Sequence, residues 1–292
     1  MYLCNLIYFE MENRRQARKK TGYFTRPSEH RSPQKDRKGS SARRDDTVRL
    51  SKGSPAEIRL NRYIANSGVC SRREADDLIG KGLISVNGKI ITSLGTKVSR
   101  GDDVRLKGKR LSAERKVYIL MNKPKGYVTT VKDPHADHTV IELLGNECPE
   151  RVYPVGRLDK ETTGVLLLTN DGELTGKLTH PKYERKKIYH VSLDKAVSKE
   201  DMYKLAEGIE LDGEVVVSDS VAYSDPPDKS KIGLELHSGQ NRVVRRLFES
   251  LGYKVKNLDR VYFAGLTKKN VPRGRWRYLS EKEISMLKRG LF

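Results

Sequence analysis

The sequence predicts an α+β protein with a small first module and a larger second domain. Two observations carry this prediction. Residues 57–106 read as two short helices followed by a small sheet, and from residue 117 onwards strand-like and helix-like runs are mixed. Regular βαβ alternation is missing, and so are the GxGxxG and GxxxxGKS/T loops of doubly wound nucleotide-binding folds.

The chain is basic along its whole length. Its 292 residues carry a formal net charge of +20. Residues 11–53 hold 14 Lys and Arg against five Asp and Glu, a net charge of +9, which leaves +11 for the rest. Because the excess extends beyond this segment, the composition favours a polyanionic partner such as nucleic acid. A basic protein without such a partner is the alternative.

Residues 1–56 are predicted to form a disordered basic tail. Arg, Lys, Ser, Gly and Pro dominate residues 11–56, and such a segment cannot bury enough apolar surface to offset the entropy of ordering it. The apolar first nine residues are too short for a signal peptide or a membrane span, so we expect no membrane association. The tail is either an electrostatic tether on RNA or a solvated segment without a role.

The three cysteines are scattered and show neither CxxC nor Cys/His ligand spacing: Cys4, Cys70 and Cys148. We therefore expect no disulfide framework and no metal site, and a reducing cytoplasm fits this usage.

The small module is predicted element by element. Apolar residues in 58–66 share one helical face, and a capping box of Ser71 and Glu74 opens a second helix. Residues 83–91 read as a hairpin around the Asn-Gly turn, and 104–106 as a further strand. The polar residues 107–116 are predicted to be a linker.

The larger domain is predicted over residues 117–292. Its first strand, 117–121, is broken by the segment NKPKG and resumes at 127–130. Further strands are predicted at 165–169, 188–193, 214–217 and 232–236. Helices are predicted at 199–207, 241–251 and 281–289, the last opened by a capping box of Ser280 and Glu283.

The stretch VGRLDKETTG, residues 155–164, places Arg157 and Asp159 directly before an apolar run. From the residues alone, Asp159 is a turn cap, a metal ligand or a catalytic carboxylate. No DxD spacing and no nearby His supports the metal interpretation, and the other two stay open. Three histidines are candidate catalytic bases, but their neighbours show no triad pattern, and we interpret them as structural or RNA-facing: His180, His190 and His237.

Two further segments bear on this question. In RKKIYHV, strand alternation puts Tyr189 on the face opposite His190. GQNRVVRRLF opens a helix with three arginines spaced to share one side, Arg242, Arg245 and Arg246. Cations oppose the dipole at a helix start, so a carboxylate or an RNA phosphate is expected to compensate them. A solvated basic face is the alternative.

Two resemblances become specific at this point. RLNRYIANSGVCSRREADDLIGKGLISVNGK resembles the RNA-binding domain named after the fourth small-subunit ribosomal protein, over residues 58–105. It implies that structured RNA is bound by basic helix faces, with Arg62, Arg72 and Arg73. The segments NKPKGYVTT, GRLDKETTGVLLLTNDGEL, LTHPKYERKKIYHV and SGQNRVVRRLFESLGY resemble the pseudouridine synthases of ribosomal RNA, and most of all the type B synthases that act on the large subunit.

This second resemblance implies a mixed, mainly antiparallel sheet with flanking helices over residues 117–292. It implies that Asp159 is the catalytic aspartate, that Tyr189 packs on the uracil and helps to remove its carbon-5 proton, and that Arg245 pairs with the aspartate. Three residues are implied to contact RNA, with Arg157 filling the gap left by the flipped nucleotide: Arg157, Asn241 and Arg242.

The resemblance also implies the reaction and its setting. We expect a monomeric, cytoplasmic enzyme that needs no cofactor and isomerises a uridine of large-subunit ribosomal RNA. A small-subunit enzyme shares every motif and is the first alternative. A non-catalytic RNA-binding ribosome-assembly factor is the second, and the intact set of Asp159, Tyr189 and Arg245 argues against it.

Overall fold

The computed structural model describes residues 57–99, 101–131, 133–135 and 137–292. The predicted disordered tail, residues 1–56, lies outside the described residues. The described chain forms two units with separate hydrophobic cores, a small one that begins at Ile58 and a larger one that follows residue 116.

The small unit consists of two helices and two small sheets. Its elements are β1 (Ile58–Arg59), α1 (Leu60–Asn66), α2 (Arg72–Gly80), β2 (Ile84–Val86), β3 (Lys89–Ile90), β4 (Lys97–Val98), β5 (Val104–Leu106) and β6 (Lys109–Arg110). β1 pairs with β4, and the other four strands form an antiparallel sheet in the order β3-β2-β5-β6. Leu60 and Ile64 of α1 and Ile79 of α2 are buried in a common core with Ile84.

The predicted capping box opens α2. The Glu74 N–H donates to Ser71 Oγ at 3.2 Å, and the Ser71 N–H donates to the Glu74 carboxylate at 2.6 Å. The predicted linker, by contrast, is partly folded, because β6 pairs with β5 and Leu111 is buried in the core. Lys107 and Gly108 both have positive φ, which permits a tight hairpin turn inside a polar sequence.

The larger unit contains eleven strands and four α-helices among the described residues. Its strands are β7 (Tyr118–Lys123), β8 (Tyr153–Pro154), β9 (Thr162–Thr169), β10 (Lys187–Leu193), β11 (Ile209–Leu211), β12 (Glu214–Val216), β13 (Ser220–Tyr223), β14 (Lys231–Leu236), β15 (Val255–Phe263), β16 (Leu266–Thr267) and β17 (Trp276–Tyr278). Its helices are α3 (Gly172–Thr179), α4 (Lys199–Glu207), α5 (Val243–Ser250) and α6 (Glu281–Arg289).

The central sheet has the order β13-β14-β10-β15-β9-β7-β17, with β16 beside β15 and β8 beside β9. β9 and β15 run parallel, and the other described pairs of this sheet are antiparallel. The mixed, mainly antiparallel sheet that the sequence predicts is therefore confirmed, and its parallel pair lies near the centre.

The sheet is covered on both faces. On β9, Leu166 and Leu168 belong to a core cluster that includes residues of α5, whereas Val165 and Leu167 belong to a cluster with residues of α3 and α6. All eight residues of β9 are buried, which explains the apolar run at residues 165–168 within it. A rigid strand thus follows the segment that contains Asp159.

Two local predictions differ from the structure, and some elements were not predicted. Residues 127–130, predicted as a strand, form only an isolated bridge through Val128. α5 begins at Val243 rather than at residue 241. α3 was not predicted; the Asp171 carboxylate caps two N–H groups of its first turn. β15 was not predicted, since its sequence VKNLDRVYF mixes charged and apolar residues without clear alternation.

Two further features of the described residues are the length of their helices and the state of their cysteines. None of their helices is both long and apolar enough to cross a bilayer. Cys70 and Cys148 are free thiols, and burial is the main cause that raises the pKa of each.

Candidate active site

Asp159 lies in a tight turn directly before β9. The Thr162 N–H donates to the Asp159 carbonyl oxygen at 3.0 Å and closes the turn. The Asp159 side chain is 36% exposed, and among the described residues no backbone N–H donates to its carboxylate. The capping interpretation is therefore not supported, and the carboxylate is open to a ligand.

The buried ammonium group of Lys123 holds this turn. Lys123 ends β7 and is fully buried. Its Nζ donates to the carbonyl oxygens of Pro124, Asp159 and Lys160 at 3.1 Å each, and to that of Thr162 at 2.8 Å. Burial lowers the pKa of Lys123 to about 8. This lysine was not identified from the sequence, because NKPKG was interpreted only as a break in a strand.

Thr129 and Gly126 fix the same turn from the neighbouring segment. Thr129 Oγ1 donates to the Leu158 carbonyl at 2.6 Å and accepts from the Leu158 N–H at 3.3 Å. The Gly126 N–H donates to the Lys160 carbonyl at 3.0 Å. The backbone is thus fixed on both sides of Asp159, which preorganises its carboxylate for chemistry.

Arg245 reaches Asp159 from α5. Its Nε lies 3.9 Å from Asp159 Oδ2, and its side chain is only 12% exposed. Its Nη1 donates to the Val255 carbonyl at 3.2 Å, so the start of β15 fixes the guanidinium. Val244 and Leu247 of the same helix are buried in the core and orient it. The structure therefore brings together Asp159 and Arg245, which are far apart in the sequence.

The three arginines near the start of α5 have three different carboxylate partners. Arg242 lies 3.8 Å from Glu249, Arg246 lies 2.6 Å from Asp212, and Arg245 approaches Asp159 as described. The prediction that they share one side of a helix is wrong for Arg242, whose φ of +50° places it before the helix in a left-handed conformation. Protein carboxylates compensate these cations, as one of the two predicted options required.

Tyr189 is buried on β10 and faces the core cluster that also contains Leu158 and Val244, the sequence neighbours of Asp159 and Arg245. Directly across from it on β15 is Arg260. Burial lowers the pKa of Arg260, and the Tyr189 hydroxyl, by charge and by hydrogen bond, raises it. Arg260 was not identified from the sequence, since its position on an unpredicted strand gave no signal.

A second lysine, half-buried Lys187, holds the segment that leads to Arg245. Lys187 Nζ donates to the carbonyl oxygens of His237 at 2.8 Å and Ser238 at 3.1 Å. Burial is the main cause that lowers the pKa of Lys187 to about 8. Asn241 and Arg242 follow on this segment and are exposed, as is Arg157 beside Asp159. These three residues are thus accessible to RNA.

The arginines of the small unit lie partly against the larger one. A side chain at Gly172 of α3 would come within 3.2 Å of Arg72 Nη2, and the charges of Arg62 and Arg72 lower the pKa of Tyr153 against the larger effect of burial. Arg72 and Arg73 are exposed, whereas Arg62 is half-buried. Arg62 and Arg72 of the small unit therefore lie close to the larger unit near the start of α3.

The histidines form no site with Asp159 in the part of the chain that the structure describes. His190 lies on β10 opposite Asp259, and burial is the main cause that lowers its pKa. His237 Nδ1 is 2.8 Å from Asp219. Among the residues that the structure describes, no group of three or more His, Cys, Asp or Glu side chains is placed to hold a metal ion.

Comparison with known proteins gives two family matches. The RNA pseudouridylate synthase family matches residues 117–250, and the S4 domain family matches residues 58–104. Ribosomal large subunit pseudouridine synthase B of Bacillus subtilis (strain 168) is 41% identical over 234 residues, which cover 79% of this chain and 95% of that protein.

Two further comparisons agree with these matches. The dual-specificity RNA pseudouridine synthase RluF of Escherichia coli (strain K12) is 36% identical over 232 residues, or 78% of each chain. A crystal structure of a pseudouridylate synthase superimposes with a TM-score of 0.57 and 28% identity, over 79% of this chain and 99% of that chain.

Proposed function

Because the chain belongs to the RNA pseudouridine synthase family and is an isomerase of that family, we propose that it converts a specific uridine of large-subunit ribosomal RNA to pseudouridine. The approach of Asp159 to Arg245 carries this proposal. A half-exposed carboxylate on a fixed turn, beside a buried cation, suits a group that must act on a sugar or a base. The reaction needs no cofactor in this proposal.

The remaining site residues receive roles that follow from the chemistry. The glycosidic bond of a stacked nucleotide is out of reach, so the target uridine must be flipped into the pocket at a cost of a few kcal/mol. Tyr189 offers an aromatic face to the flipped base, and exposed Arg157 fills the gap left in the RNA. Asp159 then acts on the uridine while Arg245 maintains its orientation.

The small domain is proposed to select and hold the RNA. Its exposed Arg72 and Arg73, with Arg62 behind them, present positive charge beside α3. Asn241 and Arg242 add polar and cationic contacts near the pocket. Each phosphate neutralised by such a residue releases counterions, so affinity is expected to fall steeply with salt. We also propose that the enzyme acts as a monomer in the cytoplasm, the compartment in which ribosomal RNA would be its substrate.

The relatives support ribosomal RNA as substrate and leave the choice between the two ribosomal subunits to experiment. The Bacillus relative is named for the large ribosomal subunit, whereas the name of the Escherichia relative gives dual specificity on RNA without stating a ribosomal subunit. A small-subunit target or a purely RNA-binding assembly role would therefore appear as a different outcome of the same test.

The test is pseudouridine mapping of total ribosomal RNA from cells that contain the protein, lack it or carry one of two variants. We expect one large-subunit pseudouridine to disappear without the protein and with Asp159→Asn. Glu161→Gln, which removes the same single negative charge from an exposed residue two positions away, should keep this pseudouridine. Purified Asp159→Asn should bind RNA with nearly unchanged affinity. The proposal would be contradicted if Asp159→Asn modified the RNA to the wild-type level. It would also be contradicted if cells without the protein lacked no pseudouridine in the RNA of either ribosomal subunit.

A further inference from the structure

Arg260 is a buried cation for which the described residues provide no carboxylate partner. It is 3% exposed and lies on β15 directly across from Tyr189. Its Nε donates to the Val165 carbonyl at 2.9 Å, and its guanidinium lies 4.7 Å from the centre of the Phe263 ring. Its Nη2 has no hydrogen-bond partner among the described residues. A guanidinium stays protonated in proteins, so a full positive charge is present here.

Lys187 adds a second cation to the same face. It lies two residues before Tyr189 on β10, so both side chains point to one side of the sheet. Since Tyr189 pairs with Arg260, Lys187 and Arg260 lie on neighbouring strands, and the charge of Arg260 contributes to lowering the pKa of Lys187. Asp219 only weakly opposes this effect, and its carboxylate is bonded to His237. Lys187 therefore bonds to neutral carbonyls and not to an acid.

Other cations close to these two positions in the chain or the sheet are paired with carboxylates. On the strand position before Lys187, Lys186 lies 2.7 Å from Glu235. On the position before Arg260, Asp259 is bonded to Lys268 and Arg273. An unpaired buried charge costs several kcal/mol, so pairing is the ordinary solution. Lys187 and Arg260 depart from it, as Lys123 does beside the Asp159 turn, and perturbed ionisable groups of this kind concentrate at functional sites.

We propose that Arg260 and Lys187 give the base pocket a positive potential that stabilises negative charge on the uracil while it is detached from the ribose. This inference rests on the proposed function. Heterolysis of the C1′–N1 bond leaves its electron pair on the uracil and makes C1′ electron-poor. A ring electron pair then forms the C1′–C5 bond, and the C5 proton is lost. Preorganised cations favour the charge-separated stage over the neutral substrate.

The probe is an RNA substrate with 5-fluorouridine at the target position, bound to the Asp159→Asn variant so that no reaction occurs. Ionisation of the fluorinated base at N3 creates the negative charge that the pocket is expected to favour, and the ¹⁹F chemical shift follows it. We expect binding to lower the pKa of the base by about one unit, a tenfold change in its ionisation equilibrium. Adding Arg260→Met should remove most of this shift, and adding Arg260→Lys should retain it.

The matched control is Lys186→Met in the same background. It removes a neighbouring lysine that points to the opposite face and should leave the shift in place. An identical titration in Asp159→Asn with and without Arg260→Met would overturn the inference. If Arg260→Met does not fold, Lys187→Met decides by the same titration, where a smaller shift supports the inference and an unchanged one overturns it.

Stability and turnover separate this role from a structural one. Replacement of an unpaired buried charge by an apolar residue of similar size often preserves stability, so Arg260→Met should keep or raise Tm. Its kcat should fall roughly a hundredfold with little change in KM. A fall in Tm with unchanged kcat would contradict the inference. Failure of the proposed function is distinct, since wild-type enzyme would then form no pseudouridine at all.

Discussion

Gly164 lies where the backbone of β15 approaches β9 closely, and alanine there should strongly destabilise the larger domain. It lies on β9 opposite Arg260 of β15, with φ of +106°. A methyl group would overlap the Arg260 carbonyl oxygen, and would lie 2.5 Å from Asp259 Oδ1 and 2.8 Å from the Arg260 carbonyl carbon. Two of these contacts are backbone atoms, so a side-chain rotation cannot relieve them.

The expected cost follows from two contributions. Positive φ costs a residue with Cβ about 1–2 kcal/mol. Overpacking typically adds about 1–3 kcal/mol, and here the upper end applies because β15 can retreat only by breaking its pairing with β9. We expect Gly164→Ala to lower the free energy of unfolding by about 4 kcal/mol, a large part of the stability of an ordinary domain.

Gly213→Ala is the matched control. Gly213 also has positive φ, at +80°, but a side chain there would meet no described atom within 4 Å. It should therefore lose only the conformational contribution, about 1–2 kcal/mol. Urea denaturation of both variants, with an unchanged m-value as the criterion for comparison, measures the difference. Equal destabilisation of the two variants would refute the reasoning that close approach of β9 and β15 requires glycine.

Three further predictions concern the turn held by Lys123, the pH dependence of stability that Lys123 causes, and the tail of residues 1–56. Lys123→Met removes the donor to four backbone carbonyls and should cost about 3 kcal/mol of stability and about a hundredfold in single-turnover rate, with RNA affinity retained. A normal rate would contradict the positioning role. The pKa of Lys123 is lowered to about 8 in the folded protein, so above that pH the unfolded chain binds more protons than the folded one. The stability of wild type relative to Lys123→Met should therefore rise between about pH 8 and 10, as urea denaturation at each pH would show. A difference in stability that stays constant over this range would contradict the prediction. Deletion of residues 1–56 should weaken RNA binding and reduce its dependence on salt, measured by titration at several salt concentrations, while the rate at saturating RNA stays unchanged.

Much of the fold was predictable because its signals are local. Both capping boxes, of Ser71 with Glu74 and of Ser280 with Glu283, are formed as the spacing indicates. The apolar run after Asp159 is a buried strand, as its uninterrupted hydrophobicity requires. These features depend on residues a few positions apart, and backbone geometry alone brings them into contact.

The supporting residues of the site were not predictable, because their environment comes from distant segments. Lys123 closes an apolar strand, and nothing in NKPKG shows that its ammonium will meet the carbonyls of a turn some forty residues later. Arg260 lies on a strand whose charged residues hide its burial. In both cases the sequence shows an ordinary exposed cation, and only the assembled sheet makes the charge buried.

The Asp159–Arg245 pair differs in geometry from an ion pair of this protein that only supports the fold. Arg277 and Glu283 form a two-pronged pair at 2.7 and 2.8 Å, and this bonding lowers the pKa of Glu283 to about 2. Both carboxylate oxygens of Glu283 accept a hydrogen bond from Arg277. Arg245 instead approaches Asp159 only to 3.9 Å, since the Val255 carbonyl engages its Nη1. The carboxylate oxygens keep their lone pairs available, and this freedom is what a reacting group needs.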